Sequence, residues 1–390
     1  MSAALDPYLV DWFDLLVRWL HVIAGIVWIG TSFYFVALDN HLRPPKPERD
    51  RVGGESWEIH GGGFYRIEKY RVTPETVPEP LHWYKWEAYT TWLSGFALLV
   101  VLHYLDADQY LVDPGVADLS QSTAVALSLG LLALAWFVYD ALCRVLGRSE
   151  LLLAVALVAF VAASAYAVSE LFSARALPIQ VGAMLGTMMV GNVLFVIIPG
   201  HWELIRAKQA GREPEAVHGL RGKQRSVHNN YLTLPVVLAM LGPHFSFAFA
   251  REDGWIVLVA LMLVGAWVRH FFNLRHRGRT SWFVPATAVL AVVAIAVAIR
   301  PEDDADAGAP VPFGQVAAVV DEHCATCHGG AAAPLGVVLE TPEQIRSRAD
   351  AIEEVAVRTR AMPLGNVTGM TDEERELVGR WIDQGARLEP

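Results

Sequence analysis

The first 300 residues alternate between long apolar runs and shorter polar connections. The runs fall near residues 12–37, 85–105, 123–143, 150–172, 178–199, 228–250, 254–273 and 282–300. Each reaches about 20 predominantly apolar residues, the length of helix that crosses roughly 30 Å of hydrocarbon. The pattern predicts an all-α chain whose first part is an eight-helix transmembrane bundle. Pro235 and Pro243 interrupt the sixth run, and the seventh ends in Arg269 and His270. A soluble protein would have to hide eight such runs in one core. Beyond residue 300 the pattern changes. Residues 301–311 are acidic and rich in Pro and Ala, a linker by composition, and 312–390 carry shorter stretches of helical periodicity. Helices are expected over 313–323 and 371–384. The second opens with the capping box Thr371-x-x-Glu374 and carries Leu377, Val378 and Trp381 on one stripe. The expected organisation is a transmembrane domain at 1–300, a linker at 301–311 and a small soluble domain at 312–390.

Composition agrees, and charge adds a direction. Hydrophobic residues make up 54% of the chain and charged residues 18%, against about 45–50% and about 25% in an average soluble protein. The net charge of −10 is unevenly placed: residues 1–300 hold 24 Lys and Arg against 24 Asp and Glu, while residues 301–390 hold 7 against 17. No basic surplus exists to bind nucleic acid. Lys and Arg accumulate in cytoplasmic loops, and loops 38–84, 144–149, 200–227 and 274–281 hold 18 of them against 2 in loops 106–122, 173–177 and 251–253. Both termini, and the acidic domain with the second, are therefore expected outside the cytoplasm. The first run lacks a basic leader and is too long for a cleavable signal. Membrane lipid is the first partner implied.

The strongest motif lies in the acidic domain. Cys324-Ala325-Thr326-Cys327-His328 is the C-x-x-C-H pattern of covalent c-type haem attachment. Two thiols add to the porphyrin's vinyl groups and the next imidazole turns onto the iron. A second axial ligand is expected downstream, with Met362 of Met362-Pro363-Leu364-Gly365-Asn366 preferred to Met370. The domain is thus expected to be a class I cytochrome c with one haem c. A thioredoxin-like reading would need a βαβ context, and a zinc site a second ligand pair. Haem c is attached outside the bacterial cytoplasm, which agrees with the loop charges and makes the inner membrane the expected location, with the cytochrome domain periplasmic. Cys143 remains as a buried, inert thiol.

Polar side chains at membrane depth are functional suspects. Toward the outer half lie His21, His103 and His244. His21 and His244 are the preferred pair for a b-type haem held between helices, and a hydrogen-bonded histidine is the alternative for each. At the inner side, Arg225, His228, Asn229, Asn230 and Thr233 open the sixth run, and His82, Trp83, Tyr84, Lys85, Trp86 and Glu87 open the second. Two polar mouths on one side suggest a pocket for a flat anionic molecule, with Arg225, Asn229, Asn230 and Thr233 binding it. An aromatic belt with snorkelling cations is the competing reading. Asp140 and Arg144 are spaced as a local ion pair. Gly182, Gly186 and Gly191 read as close helix packing, and Gly61-Gly62-Gly63, with no strand expected before it, is no phosphate loop.

At these residues a resemblance appears. The stretch from Trp19 to Gly30, Ile59-His60-Gly61-Gly62-Gly63-Phe64-Tyr65, His82 to Trp92 and Val227 to Pro235 resemble the bacterial membrane-bound urate oxidase family, which joins eight spans to a C-terminal cytochrome c. The resemblance implies oxidation of urate to 5-hydroxyisourate, with electrons leaving through the c-type haem to an external acceptor such as a soluble cytochrome c or a respiratory oxidase. A general base near the substrate is then expected, and His228, Glu87, His60 and His82 are unranked candidates. Two other classes fit the same composition: a non-catalytic membrane-anchored electron-transfer cytochrome c, and a quinol-oxidising membrane enzyme.

Overall fold

In hydrocarbon every backbone N–H and C=O must be satisfied within its own segment, which turns long apolar runs into helices. The computed structural model describes residues 7–300, 309–330, 333–358 and 360–388, and is mostly helical. The first part begins with α1 (Pro7–His41), β1 (Val52–His60), β2 (Gly63–Tyr70) and α2 (Trp86–Leu99), which continues through a π-turn at Val100–Tyr104. A single turn, α3 (Ala107–Tyr110), precedes α4 (Gln121–Leu146) and α5 (Glu150–Ser169). Serines start both long helices: Ser120 accepts from the Thr123 N–H and Ser149 from that of Leu152. α6 (Ala176–Gly191) runs through a π-turn at Asn192–Ile197 into α7 (Ile198–Gln209). α8 (Ala216–Leu241) contains Pro235 and ends in a tight turn at Gly242–His244, followed by α9 (Ser246–Phe249), α10 (Gly254–His276) and α11 (Phe283–Ala298).

Five of these are long and apolar enough to cross a membrane: α1, α4, α5, the continuous α6–α7 rod and α10. Helices also stand at the other three expected positions, as α2, α8 and α11. α6 is the centre, with Leu177, Val181, Met184, Leu185 and Met188 packed against Leu132 and Ala135 of α4 and Leu258 of α10. Small residues permit this: a Cβ on Gly182 would lie 3.1 Å from Met240, and one on Gly191 would lie 2.3 Å from the Trp136 ring. Gly186 meets nothing and plays no such part. By contrast α1, α5 and α11 present large apolar side chains outward, among them Ile26, Leu151 and Leu290, as helices facing lipid do.

The loop between α1 and α2 corrects the all-α expectation. β1 and β2 pair antiparallel from His60↔Gly63 back to Val52↔Tyr70. Gly61 and Gly62 are the two-residue loop, with φ of 56° and 81°, the positive values that a tight hairpin matching strand twist demands. A strand does precede the glycines, and they serve as its turn.

Loops expected on one side do gather at one end. Arg51 pairs with Glu213, Lys223 with Asp39, and Arg277 donates to Asn40 Oδ1. Loops 106–122 and 173–177 meet at the opposite end, where Ser173 N donates to Leu111 O at 2.9 Å.

Of the expected linker, residues 301–308 lie outside the described residues. A second, separate core follows, built from α12 (Phe313–His323), α13 (Ala325–His328), α14 (Pro342–Ser347), α15 (Ala349–Ile352) and α16 (Asp372–Asp383). The capping box is present: Thr371 Oγ1 accepts from Glu374 N while the Glu374 carboxylate reaches back to Thr371 N. Phe313 and Trp381, 5.6 Å apart, join α12 to α16. This unit rests on the first part at the end holding α3. Arg175 Nη2 donates to Ala361 O at 3.0 Å, and Gly365, at φ 62°, sits so close to Gln109 that a Cβ would lie 2.4 Å from its carbonyl oxygen.

Candidate functional site

At about 3.6 residues per turn, neighbours on α8 point in directions about 100° apart, and this splits the polar mouth of the helix. Arg225 and Asn229, four residues apart, face α4 and the end of α6. Arg225 donates to Asp140 Oδ1 at 2.6 Å and to Asn192 Oδ1 at 3.2 Å, and its guanidinium lies 5.0 Å over the Tyr139 ring. Asn192 Nδ2 donates to Asn229 Oδ1 and to Tyr139 Oη, both at 2.8 Å, and Tyr139 Oη pairs with His228 Nδ1 at 2.9 Å. Asn229 Nδ2 donates to Met189 O, and Thr233 Oγ1 donates to Asn229 O. The expected Asp140–Arg144 pair is present at 2.6 Å and completes the set. Cys143, buried as expected, lies 3.8 Å from His228 Nδ1. This face is a closed network in which the cation has its carboxylate.

Asn230 points the other way, toward α10. Its Oδ1 accepts from Arg269 Nε at 2.9 Å and from Asn273 Nδ2 at 3.0 Å. Arg269 lies with its guanidinium carbon 3.7 Å from the centre of the Phe33 ring of α1. Arg269 Nη2, Asn230 Nδ2 and Asn273 Oδ1 are buried with no partner. Among the described residues no carboxylate forms a salt bridge with Arg269. One turn further along, Asn40 Nδ2 and His276 Nδ1 are also buried and unpaired.

The mouth of α2 is aromatic. Trp83 stacks on Trp202 at 4.7 Å, Tyr84 packs edge-on to Phe35 at 5.0 Å and His82 edge-on to Tyr84 at 4.9 Å. Lys85 lies over Trp83 and Trp86. The four general-base candidates are scattered. His60 is exposed at the hairpin turn, His82 is exposed before α2, and His228 is engaged by Tyr139. Glu87 has a buried Oε2 without a partner.

Further along α2, His21 Nδ1 meets Thr91 O at 2.9 Å, pressed so close to Gly95 that a Cβ there would lie 2.7 Å from the ring. His103 Nδ1 is buried and unpaired, His103 packs edge-on to Tyr110 at 6.0 Å, and Arg175 lies over Tyr110 at 5.7 Å. His244 stands exposed in its turn, and no hydrogen bond or ring contact joins it to His21 among the described residues.

In the second unit α13 carries Cys327 exposed, and Cys324, the residue just before that helix, is half-buried; both are free thiols, with the Cys324 thiol pushed up to about 11 by burial. His328 Nδ1 lies 2.9 Å from Val337 O. A carbonyl only accepts, so Nδ1 holds the proton and Nε2 keeps its lone pair, the arrangement of a metal-ligating imidazole. Met370 is buried in the core, whereas Met362 is half-buried on a loop held by Met362 N→Val355 O and Arg375 Nη1→Met362 O. Donor atoms of Glu322, His323 and Glu374 come within 4.8 Å of one another, but Glu374 is spent on the capping box.

Comparison with known proteins reaches the first part of the chain: residues 7–300 match the model of the urate oxidase N-terminal family. The chain belongs to that family. No curated protein and no solved structure matches it. The urate oxidase N-terminal region contains both faces of α8 and the mouth of α2, and it ends before the C-x-x-C-H motif. Membership makes a urate-related oxidoreductase the supported class of activity. Sequence reading missed Arg269 and Asn273, taking the first as the polar end of a span. The available signal was a basic residue with no acid three or four positions away on either side.

Proposed function

We propose that this protein is a membrane-bound enzyme that oxidises urate to 5-hydroxyisourate and passes the electrons through a C-terminal c-type haem to an external acceptor. Family membership over residues 7–300 carries the reading. The balance is urate plus water giving 5-hydroxyisourate, two protons and two electrons. Water supplies the added oxygen, so hydrogen peroxide need not form.

The residues of the second unit fit haem c. Cys324 and Cys327 offer free thiols at the start of α13 and within it, His328 has its Nδ1 anchored and its Nε2 free, and Met362 lies outside the packed core. The bound group would supply one-electron storage, so each urate discharges in two steps. The Met362 loop is fixed to the first part through Ala361 and Arg175, which shortens the path an electron must cover between the units. For a haem inside the bundle the fit is partial. His21 has its Nδ1 held by a carbonyl, but the exposed His244 offers no enclosed second ligand, and no step is routed through such a group.

The eight helices would span the inner membrane with the basic loops in the cytoplasm, where purines are degraded, and the acidic unit in the periplasm. Its surplus of carboxylates would steer a basic redox partner. Purified protein given urate and an oxidised cytochrome acceptor under air should form 5-hydroxyisourate without accumulating peroxide. Stoichiometric peroxide would overturn the cytochrome-linked reading.

A further inference from the structure

Among the described residues, ten buried side-chain polar atoms lack a partner, and five of them belong to Asn40, Asn230, Arg269, Asn273 and His276. Their concentration is the observation to explain, because buried polar groups are paired almost everywhere in folded proteins. Arg269, Asn273 and His276 are spaced i, i+4, i+7 and share one face of α10; Phe33 and Asn40, seven apart, share one face of α1. The guanidinium of Arg269 rests on the Phe33 ring, which offsets part of the cost of burying it, and its Nε is spent on Asn230. The remaining charge has no anion. A buried cation without a counter-charge is strongly unfavourable, and the stable ways to keep one are to pair it or to leave it for a ligand.

The amide orientations are determined. Arginine only donates, so the Asn230 atom facing it is Oδ1 and its Nδ2 is a free donor. Asn273 gives its Nδ2 to the same oxygen and is left with a free acceptor. The set thus offers two donors, one of them charged, and one acceptor.

We infer that Arg269, Asn230 and Asn273 are the anion seat of the substrate, taking a planar heterocyclic anion through an exocyclic carbonyl oxygen and the adjacent ring N–H. The inference rests on the urate reading, since urate presents both groups along its edge and carries the negative charge that Arg269 lacks. Phe33 fixes the guanidinium from below. Asn40 and His276 extend the same polar line toward the loop end of the two helices. The three unpartnered atoms of the seat are buried, and α1, the least buried of the five long helices, is the element that gives way for access. Arg225, equally buried but already paired, is a positioning residue for the fold.

The test uses full-length protein reduced beforehand with dithionite, so that bound urate is not consumed, and equilibrium dialysis with labelled urate. Arg269→Gln should weaken binding by at least about 30-fold, the lower end for truncating a buried charge partner, and Arg269→Lys should recover part of it. Asn273→Asp is the sharper variant: it is isosteric and supplies the missing carboxylate, so the protein should become more heat-stable while losing urate binding. Arg269→Gln and Asn273→Asp proteins that bind urate within threefold of the parent would overturn the seat and leave the urate reading standing. A parent protein that neither binds urate nor has its haem reduced by it would overturn the urate reading and, with it, the seat.

Discussion

Arg225 and Arg269 are each 4% exposed, lie at the same end of the helices and each bond an asparagine, yet their surroundings are opposite. Arg225 meets Asp140 at 2.6 Å, Asn192 and the Tyr139 ring, and Asn192 in turn has its amide fully used. Arg269 meets an amide oxygen and a phenyl ring, and its second arm has nothing. The first arrangement is complete without a ligand and the second is not. A buried charge by itself therefore identifies nothing; its partners decide whether it supports the fold or awaits a substrate. The same distinction separates the two methionines of the second unit, Met370 packed in the core and Met362 outside it on an anchored loop.

The contrast can be broken at several points. Arg225→Gln leaves the Asp140 carboxylate with only the exposed Arg144 as partner and should cost about 3 kcal/mol, the lower end for breaking a buried pair, visible as a large fall in the melting temperature in detergent. Met370→Ala opens a cavity in the second core and should cost about 2–5 kcal/mol while leaving a Met-ligated haem spectrum. Met362→Ala should do the reverse, abolishing Met ligation at little cost in stability. If Met370→Ala is the variant that removes the ligation, the two sulfurs have been exchanged. At Arg269 the sign itself changes: Arg269→Gln relieves an unpaired charge and should leave the ligand-free melting temperature equal or higher.

The smallest effect belongs to a group that is fully partnered and only half-buried. The Thr371 backbone N–H holds the Glu374 carboxyl below the usual carboxylate range. A carboxyl depressed in the folded state contributes stability that is present above its unfolded value and lost as pH falls through its folded value. Amide exchange over residues 372–383 should therefore quicken below about pH 4, the unperturbed carboxylate range. Thr371→Ala should cost about 1 kcal/mol, and Glu374→Gln, which keeps the capping-box geometry but cannot ionise, should flatten that acid response. An unchanged acid response in the Glu374→Gln variant would show that the cap does not carry it.

Much of this molecule was legible in its sequence. Run length located the helices, because hydrocarbon leaves a long apolar segment no other way to satisfy its backbone. The Thr371 capping box and the Asp140–Arg144 pair were readable because both are local, within one helical turn. The hairpin was missed because β1 and β2 carry mixed polar and apolar residues whose pairing is set by contacts such as Glu55 with Arg66 and Tyr34 with Glu58; only the glycine turn marked it. The α8 mouth was correctly seen as polar, but a list of residues does not show that Arg225 and Asn230 point to different helices. Arg269 was hidden by its position near a helix end, where a basic residue ordinarily reaches for water.

The most direct measurement is an anaerobic titration of the oxidised, full-length protein with urate, followed at the c-haem α-band. One urate should reduce two haems c, and Asn273→Asp protein, folded and fully reducible by dithionite, should remain oxidised. A parent protein whose haem dithionite reduces and urate leaves oxidised would contradict the cytochrome-linked reading.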